Sequence, residues 1–114
     1  MNDLVLHPMK AIRIIIPGEH AKFATDLLDT VKATGYTIIS KISGKGHHGF
    51  HTSHAMFNDM ESLVMIFTVV PQEKVKPVLS GLTPLFSRYP GVMFVSDVSV
   101  SRLEYFSDLP GQDL

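Results

Sequence analysis

Residues 62–70, with the sequence SLVMIFTVV, constrain the fold more than any other stretch of the chain. Their β-branched and aromatic content is typical of a β-strand. Both alternating faces are apolar, one with Leu63, Met65, Phe67 and Val69 and the other with Val64, Ile66, Thr68 and Val70. A strand of this kind needs other parts of the protein against both faces, so the pattern predicts that both of its faces are covered.

Three further strands are predicted around it. Residues 9–16 form an isoleucine-rich strand, and residues 36–42 are β-branched and aromatic. Residues 92–102 follow Tyr89-Pro90-Gly91 and change from continuous to alternating apolar character. Each segment has the length and the boundaries of an ordinary strand.

Two amphipathic helices are predicted between these strands. The first has apolar residues at helical spacing, namely Phe23, Ala24, Leu27, Leu28 and Val31. Gly35 is expected to close this helix, since glycine favours the left-handed conformation found after helix ends. The second helix covers residues 75–86, and Pro77 and Pro84 within it predict a late start or a kinked end.

The order strand, helix, strand, strand, helix, strand indicates an α+β fold of the ferredoxin-like βαββαβ type. Two helices cover one face of its four-stranded antiparallel sheet, which leaves the second face of strand three and Ile15 to be buried outside the monomer. We therefore expect self-association through the sheets; the alternative is an exposed hydrophobic surface. Residues 9–106 form the predicted domain, and residues 1–8 and 107–114 are predicted tails.

Composition excludes several classes of function. The 114-residue chain has a net charge of −1, which argues against binding of nucleic acid. It has no cysteine, so it lacks thiol nucleophiles and thiolate zinc sites, and a reducing, cytoplasmic location is expected. No apolar stretch is long enough to span a bilayer. No catalytic motif with rigid support is present, and the chain is therefore interpreted as a non-enzyme.

Residues 43–61 form a connection far longer than the loops that usually join neighbouring strands, and such loops are commonly functional. The connection opens with Gly44-Lys45-Gly46. Glycines here permit positive φ and direct amide groups towards an anion, and Lys45 adds charge for a phosphate. The alternative is that this segment is only a turn or bulge.

Four histidines lie within the same connection, at His47, His48, His51 and His54. A helical turn would bring them together at spacings that suit nickel, copper or zinc, with Asp59 and Glu61 as further ligands. Two alternatives are that they are solvated or that they donate to a small anion. Arg88 and Arg102 are the remaining well-placed cations.

The chain resembles the PII signalling family, and more closely the PII-like proteins associated with inorganic-carbon uptake and carboxysomes. The resemblance covers nearly the whole domain. It rests on five segments that occur in the family's order: Met9-Lys10 before the isoleucine strand, Thr34-Gly35-Tyr36-Thr37, Gly44-Lys45-Gly46, Val69-Val70-Pro71, and Tyr89 to Val95. It implies a homotrimer with an adenine nucleotide in each cleft between subunits and a flexible effector loop at residues 43–61.

The resemblance also implies a set of nucleotide-binding positions. Ile15 and Thr37 match positions near the adenine. Gly44 and Gly46 match the glycines that bind phosphate, and Gly91 matches a glycine of the cleft. His48 stands where the nitrogen-sensing branch has glutamine. Lys45, Arg88 and Arg102 are candidate phosphate contacts. Val92 stands where the family has a lysine, and only Arg102 remains of a pair of arginines late in strand four. The loss of these positive charges predicts that ADP or AMP binds better than ATP.

Two functions follow as hypotheses. The first is a regulator that senses adenine nucleotides and acts on a membrane transporter or a carboxysome-linked protein; bicarbonate as a second ligand is implied only by the carbon-linked relatives. The alternative is a metal-responsive trimer, similar to PII-like or copper-tolerance proteins, that binds metal through His47, His48, His51 and His54.

Overall fold

The structure, a computed structural model, describes residues 5–44 and 63–106. Within these residues the predicted order of elements is confirmed. The elements are β1 (His7–Pro17), α1 (Ala21–Thr30), β2 (Thr37–Ile42), β3 (Leu63–Val70), α2 (Val75–Phe86) and β4 (Val92–Val100). Short 3-10 turns precede α1 and α2 and follow β4, at Gly18–His20, Gln72–Lys74 and Leu103–Tyr105. No helix in the described residues is long and apolar enough to cross a membrane.

The four strands form one antiparallel sheet in the order β2-β3-β1-β4. The apolar strand β3 is therefore internal, with β2 and β1 as its neighbours. The strand β1 begins at His7, two residues before the predicted start, because His7 and Pro8 pair with Val100 and Ser99 of β4. The ferredoxin-like fold is thus confirmed, with its two most apolar strands at the centre.

One face of the sheet packs against the two helices. The largest buried aliphatic side chains there are Ile12, Ile14, Ile16, Leu28, Ile66 and Leu82, each fully buried. Burial of each such side chain favours the folded state by about 1.5–3 kcal/mol. Thr68 is the buried polar residue on this face, and its hydroxyl donates to the backbone carbonyl of Gly35 at 2.6 Å, which satisfies it.

The second face is the opposite side of the sheet, defined by Ala11, Arg13 and Ile15 of β1 and the residues paired with them. Its end near Val100 is covered by the chain itself, because Leu103 and Phe106 pack on the cluster of Met9, Ala11, Val69 and Val100. This cover was not predicted. At the other end, exposed residues of the edge strands, such as Ile39, Val92 and Phe94, leave apolar surface uncovered within one chain.

The helix ends differ in part from the prediction. Helix α1 ends at Thr30, before the predicted closure at Gly35, because Lys32 adopts the left-handed conformation with φ 65°. The amide of Ala33 donates to Leu28 at 2.9 Å and that of Lys32 to Asp29 at 3.0 Å, which is the Schellman pattern. In α2, Pro77 lies in the first turn, where its missing amide has no intrahelical partner to lose.

Candidate functional site

The antiparallel order gives the sheet two distinct ends. The loop end contains Pro17, Ile42, Leu63 and Val92, where β1 and β2 finish and β3 and β4 begin. The tail end contains His7, Thr37, Val70 and Val100. Residues predicted for the site can therefore be assigned to one end or the other, and this assignment decides which of them can meet within a single chain.

The predicted residues divide between the two ends. Gly44, Arg88 and Gly91 lie at the loop end, whereas Arg102 follows β4 at the tail end. The eight residue steps from Val92 to Val100 correspond to about 26 Å at about 3.3 Å per residue. Arg88 and Arg102 of one subunit therefore lie beyond opposite ends of β4.

Ile15 and Thr37 both lie on the second face. Ile15 pairs with Met65 of β3 and Val92 of β4, close to the loop end. Thr37 pairs with Phe67, which also pairs with Arg13, so Thr37 lies one side-chain repeat further from the loop end. The strands hold these two residues on the same side of the sheet, and that side is the uncovered apolar one.

Gly91 lies in a tight packing position at the loop end. A Cβ atom added to it would be 2.8 Å from Phe86 Cε1 and 3.0 Å from Ile16 Cγ2. Both distances are too short for ordinary carbon contacts, which are about 3.5–4.0 Å. The structure therefore gives a packing reason for this glycine, in addition to the cleft role that the family resemblance implies.

Residues next to Gly91 form an aromatic and cationic cluster that was not predicted. The rings of His20 and Tyr89 are 4.2 Å apart, and the Arg88 guanidinium lies 5.7 Å from the Tyr89 ring. Nε2 of His20 is buried and makes no hydrogen bond, although the Glu19 carboxylate is 3.4 Å away. Only the tertiary fold brings His20, which precedes α1, to the turn after α2.

Arg102 is held by its own neighbours at the tail end. Its Nη2 donates to the Tyr105 hydroxyl at 2.6 Å, and its guanidinium lies 4.3 Å from the centre of the Tyr105 ring. The Glu104 carboxylate is 4.0 Å from Nε. The guanidinium remains exposed to solvent, so most of its donors face outwards.

Arg13 is a second cation on the sheet that sequence reasoning did not assign to a site. It lies 5.0 Å above the Phe67 ring on the second face and donates to the Ser96 hydroxyl at 3.3 Å. The sequence feature that could have identified Arg13 is the presence of an arginine within an isoleucine-rich strand. The half-buried position of Arg13 places a charge in the middle of a mainly apolar face.

The start of the long connection is described only at Ser43 and Gly44. Gly44 does not have the positive φ that the sequence argument expected, and nothing lies within 4 Å of an added Cβ atom there. The other predicted contacts of this segment, Lys45, Gly46 and His48, lie outside the described residues. The described conformation alone therefore does not require glycine at position 44.

The histidine-based metal hypothesis also rests on residues that are not described, namely His47, His48, His51 and His54. Among residues 5–44 and 63–106, no group of three or more histidine, cysteine, aspartate or glutamate side chains could hold a metal ion. A shallow depression on the helix side is lined by Lys10, Gln72 and Asp97, among others. It contains none of the predicted site residues.

The sheet order, the two helices on one face and the long connection between β2 and β3 define a small ferredoxin-like protein of the PII type. The sequence profile of the family described as Nitrogen regulatory protein P-II matches residues 9–105. The chain belongs to the P-II family. A search of curated protein sequences finds no match.

Several solved structures of CPII from Thiomonas intermedia K12, a nitrogen regulatory PII-like protein, are similar to this chain. CPII bound to ADP, AMP and acetate is 45% identical with a TM-score of 0.78, over 90% of this chain and 97% of that chain. CPII bound to ADP and bicarbonate is 44% identical with a TM-score of 0.79, over 91% and 99%. The apo form is 44% identical with a TM-score of 0.71, over 84% and 95%.

Proposed function

We propose that this protein is a homotrimeric, non-catalytic regulator that binds ADP or AMP in the clefts between its subunits. Bicarbonate is the proposed second ligand. The similarity to CPII, whose structures contain ADP, AMP and bicarbonate, supports this choice of ligands and favours it over the metal alternative. In response to the bound ligand, residues 43–61 contact a target protein of inorganic-carbon uptake. This target is the cytoplasmic side of a membrane transporter or a carboxysome-linked protein.

The separation of the candidate residues is the observation that carries the proposal. Arg88 and Gly91 lie at the loop end and Arg102 at the tail end, on either side of β4, which is about 26 Å long. A ligand that contacts both ends must therefore lie between two subunits. The uncovered apolar part of the second face, around Ile39, Val92 and Phe94, supplies surface for that association.

Each predicted residue has a role in this cleft. Ile15 and Thr37 contact the adenine from the second face. Gly44, Lys45, Gly46 and His48 surround the phosphates at the start of the long connection, with Gly91, Arg88 and a neighbouring subunit's Arg102 nearby. Val92, in place of a lysine, removes one charge partner, so a diphosphate or monophosphate is preferred to a triphosphate.

Titration calorimetry with ADP, AMP and ATP, with and without bicarbonate, tests the proposal, and sedimentation tests the trimer. We expect a higher affinity for ADP or AMP than for ATP. Arg102→Ala should weaken ADP binding by about 10- to 100-fold, because charged hydrogen bonds are lost. Lys22→Ala is the control, since Lys22 pairs with Asp26 on the exposed side of α1. A stable monomer, or no heat with any adenine nucleotide, would contradict the proposal.

A further inference from the structure

We propose that Tyr105 is a positioning residue that orients Arg102 towards the phosphate groups of the ligand. This inference rests on the proposed function, because it assumes that Arg102 contacts those phosphates. Tyr105 itself is not required to touch the ligand. Its hydroxyl and its ring restrict the Arg102 side chain before the ligand binds, which reduces the conformational entropy lost on binding.

Two independent contacts hold the guanidinium of Arg102. The Tyr105 hydroxyl accepts a hydrogen bond from Nη2 at 2.6 Å, and the ring lies 4.3 Å from the guanidinium carbon. The hydrogen bond and the cation–π contact together restrict the position of the guanidinium. A free arginine side chain would instead sample many rotamers.

The turn that carries Tyr105 is itself anchored to the sheet. The Thr34 hydroxyl donates to the Tyr105 carbonyl at 2.5 Å, and the Tyr105 amide donates to the Arg102 carbonyl at 3.0 Å. On either side of Tyr105, Leu103 and Phe106 pack on the second face. The backbone of Tyr105 is therefore fixed relative to β4, from which Arg102 emerges.

Burial does not explain the position of the Tyr105 side chain. It is 54% exposed, whereas Leu103 and Phe106 supply the apolar contacts of this turn. A neutral hydroxyl also holds the arginine without cancelling its charge, in contrast to a carboxylate. The Glu104 carboxylate lies 4.0 Å from Nε of Arg102, at the limit of an ion pair, and both side chains are substantially exposed. The charge of Arg102 thus remains available to an anion.

The test compares Tyr105→Phe with the parent protein, using ADP and adenosine as probes. The substitution keeps the ring and removes only the hydroxyl. We expect the Kd for ADP to rise about three- to tenfold, because the loss of one intramolecular hydrogen bond of ordinary strength leaves Arg102 less ordered before binding. The affinity for adenosine, measured by displacement of a fluorescent ADP analogue, should stay unchanged because adenosine has no phosphate for Arg102 to contact.

Two further variants make the result specific. Arg102→Ala should weaken ADP binding, and Tyr105→Phe should have no additional effect in the Arg102→Ala background, since Tyr105 acts through Arg102. Lys22→Ala is the neutral control, and sedimentation checks that all variants keep the assembly of the parent. Additive effects of the two substitutions would overturn the inference.

The outcomes also separate this inference from the proposed function. An equal loss of ADP and adenosine affinity in Tyr105→Phe would indicate a merely structural role and would overturn it. Unchanged ADP affinity in Tyr105→Phe, with a parent that binds ADP, would overturn it while leaving the proposed function intact. A parent that binds no adenine nucleotide would refute both.

Discussion

Substitution of Gly91 by alanine should destabilise the folded protein through the packing at the loop end. The added Cβ would lie 2.8 Å from Phe86 Cε1 and 3.0 Å from both Phe86 Cδ1 and Ile16 Cγ2. Ile16 is fully buried and the partly buried Phe86 packs against the same helix-side core, so the added atom would displace core side chains. Overpacking of this kind costs about 1–3 kcal/mol. The lower entropy of the unfolded chain with alanine returns about 0.4–1 kcal/mol.

The expected net loss in the free energy of unfolding is therefore about 0–2.6 kcal/mol, with a central value of about 1.3 kcal/mol. Urea unfolding without ligand measures it, at one protein concentration because the stability of an oligomer depends on concentration. Gly35→Ala is the matched control: nothing lies within 4 Å of its added Cβ, and a gain of about 0.4–1 kcal/mol is expected. A gain in stability for Gly91→Ala equal to that of Gly35→Ala would refute the packing argument.

Two other substitutions test the end of α1 and the second face. Lys32→Gly should raise the free energy of unfolding by about 0.5–1 kcal/mol, because Lys32 has φ 65° in a left-handed conformation that glycine adopts without strain. Lys32→Ala should give no such gain in the same urea unfolding experiment. Phe94→Glu should produce a folded monomer in sedimentation, since Phe94 is 50% exposed on the second face. Val95→Glu, 44% exposed on the helix side of the same strand, should still assemble, and identical behaviour of the two would contradict the proposed interface.

Hydrophobic periodicity was sufficient to predict the order of strands and helices along the chain and the need to cover both faces of β3. The helices cover its residues on the helix side, whereas the chain covers the second face only near Val100. The end of α1 was not predictable, since the left-handed residue is Lys32 and sequence gives no sign of positive φ at a lysine. Leu103 and Phe106 were missed because an irregular turn has no periodicity from which to infer that it covers the sheet.

The residues of the candidate site could be predicted from the sequence, but their arrangement in space could not. Resemblance to the family identified Arg88 and Arg102 together, but the fold separates them along β4. Tyr105 and His20 carry no motif at all, and only tertiary contacts relate them to Arg102 and to the Gly91 turn. Sequence patterns describe one chain, whereas the proposed cleft is formed by two.

A cleft formed by two subunits links assembly to binding. If the ligand contacts the loop end of one subunit and the tail end of its neighbour, every nucleotide bound adds to the free energy that holds the two subunits together. Phe94, which is not a proposed ligand contact, becomes necessary for binding through this linkage. The monomer expected from Phe94→Glu should therefore bind ADP poorly although Arg88, Gly91 and Arg102 are all present. Retention of full ADP affinity by that monomer would place the ligand within one chain, in conflict with the separation of the two ends.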